Sequence, residues 1–181
     1  MSDIQQLPRW AELDDGINLV QLSLYESLEN SQTYESIGGN TLHRMLDGTG
    51  VKQTNWAKIK TTLSGSGGLP LGFSGLDYSG LLTLKCGAKR AVSSTLNVLA
   101  IPSNRRIDGT YQPTAKKRID GFYVDAVVNV VANTATVVLD VQATAYMVLY
   151  YPQIQVFMND PSESLDIRTE SSGWSITAEE F

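Results

Sequence analysis

Cysteine, histidine and charge are all scarce in this chain. Its 181 residues include one cysteine and one histidine, and only 18% are charged. Cys86 alone makes no internal disulfide and no thiolate cage. His43 alone builds no histidine-rich metal site, so no metal or other cofactor is expected. No apolar run of ~18 residues is present to span a bilayer, and no Asn-x-Ser/Thr sequon occurs. Met1-Ser2-Asp3-Ile4 has neither the basic nor the apolar part of a signal peptide. These absences lead us to expect one soluble protein without membrane insertion, kept in a reducing compartment. With 42% hydrophobic residues, the chain is too apolar for disorder throughout. The charge it lacks, against ~25% in ordinary domains, is replaced by Ser, Thr, Gln, Asn and Gly.

The charge that is present is unevenly placed. Residues 1–84 carry −4, residues 85–118 carry +7 and residues 119–181 carry −8, for a net −5. The basic middle holds Lys85, Lys89, Arg90, Arg105, Arg106, Lys116, Lys117 and Arg118 against Asp108. Nucleic-acid grooves interleave such cations with stacking aromatics, and only Tyr111 is interleaved here. A solvated loop, or a contact with an acidic surface of a neighbouring subunit, is the better expectation.

Hydrophobic alternation with a period of two dominates the pattern. Trp56–Leu63 reads as a half-buried strand, with Ala57, Ile59, Thr61 and Leu63 on one face. Similar runs are Leu82–Cys86, Phe122–Val130, Ala135–Val141, Tyr146–Tyr150, Ile154–Met158 and Trp174–Ala178. Asp120-Gly121 signals a turn, and Ala132-Asn133 a tight hairpin with Asn133 in the left-handed region. The one helical signal is Leu7–Leu13, with Pro8 at its first turn and Asp14-Asp15-Gly16 ending it. Ser64–Gly72 and Pro102–Lys117 read as loops reaching out from the sheets. Many short strands with turn signals predict an all-β antiparallel sandwich or barrel.

No catalytic constellation emerges. Gly65-Ser66-Gly67-Gly68 and Gly48-Thr49-Gly50 lack the spacing of phosphate-binding loops, and Asp47-Gly48 is a turn signal. His43 lies in a short strand, Thr41–Leu46, and reads as a surface or partly buried residue. Cys86 alternates with Leu82 and Leu84 and reads as a small buried hydrophobe. Asp14, Asp15, Asp160, Glu163, Glu179 and Glu180 would do acid-base work only if folding brought them together. Tyr146, Tyr150, Tyr151 and Trp174 suit either a core or a protein interface. The chain is therefore expected not to be an enzyme.

Five segments carry a resemblance: Leu42–Gly48, Gln53–Gly65, Gly72–Tyr78, Leu82–Cys86 and Gly173–Glu180. In order and composition they resemble small tail-tip and baseplate structural proteins of tailed bacteriophages. The resemblance implies a tail-tube-like β-sandwich over 1–91 and 152–181, with an inserted β-rich subdomain over 92–151. That insert faintly resembles a fibronectin-type sandwich. The resemblance further implies a virion protein, made in the bacterial cytoplasm, that forms a ring with copies of itself. The ring would join the tail tube to baseplate or hub proteins, with DNA only as transient cargo through its lumen. Expected subunit contacts are Lys89, Arg90, Arg105, Arg106, Lys116, Lys117 and Arg118, together with Trp56, Phe73, Tyr78 and Trp174. The alternative is a peripheral tail module that binds carbohydrate or a receptor.

Overall fold

The computed structural model describes residues 10–22, 27–67, 71–169 and 171–181, with the backbone alone for 27–29. The protein is all-β, and among the described residues there is no α-helix. In chain order the first strands are β1 (Ala11–Asp14), β2 (Leu19–Leu22), β3 (Ser27–Arg44), β4 (Gly50–Gly67) and β5 (Leu82–Lys85). Next come β6 (Arg90–Ser94), β7 (Val98–Ala100), β8 (Thr114–Ile119), β9 (Phe122–Ala126) and β10 (Val128–Val131). The last are β11 (Thr134–Val137), β12 (Ala145–Tyr150), β13 (Gln153–Met158), β14 (Ser162–Asp166) and β15 (Ser171–Glu180). Two compact units result: residues 1–12 with 84–154, and residues 13–83 with 155–181.

The first unit is a small sandwich. One sheet has the order β6-β12-β8-β9 and the other β10-β11-β7. Antiparallel register aligns Val92, Val148, Ala115 and Ala126 in one row across the first sheet. It likewise aligns Val130, Ala135 and Leu99 across the second. These rows pack together with Ile101, Val137 and Tyr146 as one core, which is the physical content of the alternation. The Asp120-Gly121 turn has φ of 50° and 86°, the left-handed pair that a two-residue hairpin requires. At the next hairpin Ala132, with φ 50°, takes the left-handed position expected for Asn133.

The second unit is built on the sheet β2-β1-β5-β13-β15-β4-β3, with β14 also on β15. Trp174, Ile176 and Ala178 alternate inward along β15 and are buried, as are Leu63, Phe73, Leu76, Val156 and Met158. Trp174 meets the Phe73 ring edge-on, with centroids 5.9 Å apart.

Several sequence expectations are corrected. The described part of the proposed helix is strand β1, in which Ala11, Glu12 and Leu13 are all buried. A two-turn helix is marginal by itself, and sheet pairing with burial on both faces outweighs it. Leu7–Arg9 lie outside the described residues. Ser64–Gly67 are not loop but the end of β4, paired to Ser172–Ser175 of β15; Gly68–Pro70 again lie outside. Thr114–Lys117, expected in the second loop, begin β8. The run Phe122–Val130 is two strands, because the chain changes sheet at Val127. Phe122 and Val124 are therefore exposed, while Ala126 and Val128 line the core. Leu139 and Val141 lie beyond β11 and are exposed.

Candidate functional site

The basic segment is largely occupied within its own unit. Arg106 is fully buried: its guanidinium lies 2.8 Å from Asp108 and 3.5 Å from Glu12, and stacks 3.3 Å from the Tyr111 ring centroid. It also donates to the Trp10 carbonyl at 2.8 Å. Lys85 pairs with Glu12 at 2.8 Å, Lys116 with Asp125 at 2.8 Å and Lys117 with Asp140 at 2.6 Å. Arg105 donates to the carbonyls of Pro102 and Ala132 and so clamps the left-handed hairpin turn. Lys89 sits over the Tyr151 ring, Arg90 lies in β6 and Arg118 is exposed on β8. The +7 segment thus presents much less charge outward than its composition suggests. No local pattern marks Glu12, which comes from the far end of the chain to neutralise Lys85 and Arg106. Burial pushes the Glu12 carboxyl up, but hydrogen bonds from Lys85 and Trp10 and the nearby Arg106 outweigh it and hold it low.

The aromatic candidates fall into two groups. Phe73 and Trp174 are buried and hold the second unit together, while Tyr146, Tyr150 and Tyr151 are buried in the first. Cys86 is buried and His43 exposed. Trp56 and Tyr78 reach the surface, and each marks a feature of the second unit.

Trp56 lies on a projecting ribbon. β4 pairs with β15 only from Lys60 to Gly67, whereas its pairing with β3 continues to Gly50. Beyond Lys60 the hairpin pairs, among the described residues, as two strands alone, a length of roughly 30 Å at strand rise. Two glycines let Trp56 lie against β3, where the register shifts: a Cβ on Gly39 would stand 2.6 Å from Trp56 Nε1. The closing turn is fixed by Asp47, which accepts from Thr49 N–H at 2.9 Å, and by Gly48 with φ 85°. Leu42, Met45, Leu46, Val51 and Trp56 are all exposed along this ribbon, Leu46 completely.

Tyr78 marks a cleft on the solvent face of the sheet. Asp15 accepts backbone N–H bonds from Ile17, Asn18 and Asp77, which hold its carboxyl well below the usual range. Asn18 also donates to the Gly75 carbonyl. The segment before Tyr78 is thereby fastened, and the Tyr78 hydroxyl donates to the Phe73 carbonyl at 2.8 Å. A cleft of about 680 Å³ opens beside it, lined by Lys60, Tyr78, Phe157–Asp160, Ser162, Ser175, Thr177 and Glu179. A second, of about 350 Å³, shares Tyr78 and Asp160 and adds Phe73, Ser74, Leu76, Pro161 and Glu163. Lys60 pairs with Glu179 at 3.2 Å. Asp160 and Glu179 line the larger cleft, and Asp160 and Glu163 the smaller. The legible signal was the β15 alternation, which turns Ser175, Thr177 and Glu179 away from the buried Trp174 face; the wall formed by 157–162 had none.

Burial, with Asp160, Glu163 and Asp15 nearby, pushes the Tyr78 phenol up to about 12. A raised phenol contributes stability that is full below its unfolded pKa of about 10. That contribution is lost as pH rises through 12. Alkaline titration of tyrosinate absorbance is therefore expected to show a late phase that Tyr78→Phe removes.

Among the described residues no group of three or more His, Cys, Asp and Glu is placed to hold a metal ion, and no helix is long and apolar enough to cross a membrane. Compared with known proteins, the chain matches no family model and no curated sequence.

Proposed function

We propose that this chain is a non-enzymatic structural subunit of a bacteriophage tail, a tip or baseplate ring protein linking the tail tube to distal components. The observation that carries the assembly part of this reading is the β3–β4 ribbon. An isolated two-stranded hairpin is marginal in water, and this one exposes Leu42, Leu46, Val51 and Trp56. Among the described residues β3 is also the last strand of its sheet, and an edge strand is a position where another strand can add. A ribbon with these properties gains most by docking on a neighbouring copy or tail component. The tail setting rests on the sequence resemblance of Leu42–Gly48, Gln53–Gly65 and Gly173–Glu180. Ion pairs within the chain engage Lys85, Arg106, Lys116 and Lys117, half of the cations in the basic segment, so the apolar ribbon is the leading surface.

Leu42→Asp with Leu46→Asp is expected to leave the melting curve nearly unchanged, because both side chains are exposed. Incorporation into purified particles, read by mass spectrometry, is expected to fall at least tenfold. Normal incorporation of the double variant would overturn the ribbon as the contact. Absence of the wild-type chain from purified virions would overturn the tail assignment itself.

A further inference from the structure

We infer that the paired clefts around Tyr78 form a binding site for a neutral or amino-bearing oligosaccharide of two or more rings. This inference stands apart from the ribbon and from any ring. The larger cleft, about 680 Å³, lies within the size range of small-ligand sites, but its lining is unlike that of an apolar pocket. Asn159, Asp160, Thr177 and Glu179 supply amide, carboxylate and hydroxyl groups, the donor and acceptor mixture that matches ring hydroxyls. Phe157 and Tyr78 add aromatic surface, against which the C–H face of a sugar ring packs. Phe157 is half-exposed and steadied edge-on by Phe181 at 5.4 Å. Tyr78 is fixed from behind by its bond to Phe73. Preset aromatic walls reduce the ordering cost of binding.

The second cleft shares Tyr78 and Asp160 with the first, so adjoining rings of one chain would sit on either side of these residues. Asp160, Glu163 and Glu179 face the clefts against a single cation, Lys60, already paired to Glu179. That balance repels uronic or sialic acids and admits uncharged or amino sugars. An extended basic peptide meets the same charge and is therefore one arm of the test.

The test titrates the full chain with cellotriose, chitotriose, a chitosan trisaccharide, a uronic-acid trisaccharide and trilysine. Binding is followed by amide chemical shifts of Asn159, Asp160 and Thr177. Neutral or amino trisaccharides are expected to shift these amides saturably, and the uronic trisaccharide is not. Asp160→Ala and Phe157→Ala, both at exposed positions, are each expected to weaken binding at least tenfold while circular dichroism stays unchanged. No shift with any trisaccharide at millimolar concentration would overturn the inference. So would binding indifferent to both variants, or shifts produced by trilysine alone.

Discussion

Arg106→Met is expected to destabilise the protein by about 3–5 kcal/mol, the loss typical when one partner of a buried ion pair is removed. At ~2–4 °C per kcal/mol for a chain of this size, the melting temperature of the protein drops by roughly 10 °C. The cause is specific. Arg106 is fully buried, and its guanidinium serves Glu12, Asp108, the carbonyl of Trp10 and the face of Tyr111 at once. Methionine keeps the bulk and some contact with Tyr111, but leaves buried Glu12 with Lys85 as its remaining cation. Adding Glu12→Gln is expected to recover part of the loss, since the uncompensated charge goes with it. Asp108 is nearly half-exposed, so Asp108→Asn should cost far less. A cost under ~1 kcal/mol for Arg106→Met, as at surface pairs, would overturn this account. The pH dependence has a definite sign. Hydrogen bonding to Arg106 holds Asp108 low, and Glu12 is held low as well. Groups depressed on folding contribute stability above their unfolded pKa of about 4. That contribution disappears as pH falls through the folded values, and its loss should be smaller in the variant.

The same cluster shows what the sequence made legible and what it did not. Alternation is a local property, so Val148 and Tyr146 on β12 or Trp174 and Ile176 on β15 announce their buried face directly. Turns are equally local: Asp120-Gly121 and Asp47-Gly48 are where the chain reverses. Arg106, by contrast, reads as one cation in a basic loop, because Glu12 and the Trp10 carbonyl that bury it lie more than ninety positions away in the sequence. The clefts fail to register for a related reason: Lys60, Tyr78, Asp160 and Thr177 arrive from four separate segments. The break at Val127 escapes because both halves of Phe122–Val130 keep the same alternation, although they belong to different sheets. At Ala132 a general preference for Asn in left-handed turns gives way to a particular environment, in which Arg105 grips the Ala132 carbonyl.

Gly65→Ala is expected to cost about 2–3 kcal/mol, although alanine is ordinarily at least as good in a strand as glycine. Gly65 sits in β4 directly across from Trp174 on β15 and Asn30 on β3. A Cβ there would stand 2.1 Å from Asn30 Oδ1, 2.5 Å from Trp174 Cζ2 and 2.8 Å from Cε2, well inside contact distance. The indole cannot retreat, because the Phe73 ring stands 5.9 Å away on the same buried face, and overpacked cores of this kind typically lose 1–3 kcal/mol. Gly48 provides the contrast. Its φ of 85° disfavours any side chain, but a Cβ there would meet nothing within 4 Å, so Gly48→Ala should cost only ~1 kcal/mol through backbone conformation. The two mechanisms separate in a double variant. Trp174→Phe removes the two indole atoms that the new Cβ strikes and leaves Asn30 Oδ1 in place, so it should recover only part of the loss in Gly65→Ala while being destabilising alone. In Gly48→Ala the same change should simply add. Chemical denaturation of the wild type, the three single variants and the two double variants measures both coupling terms. Strict additivity at Gly65 would mean that Trp174 is not what forbids a side chain there.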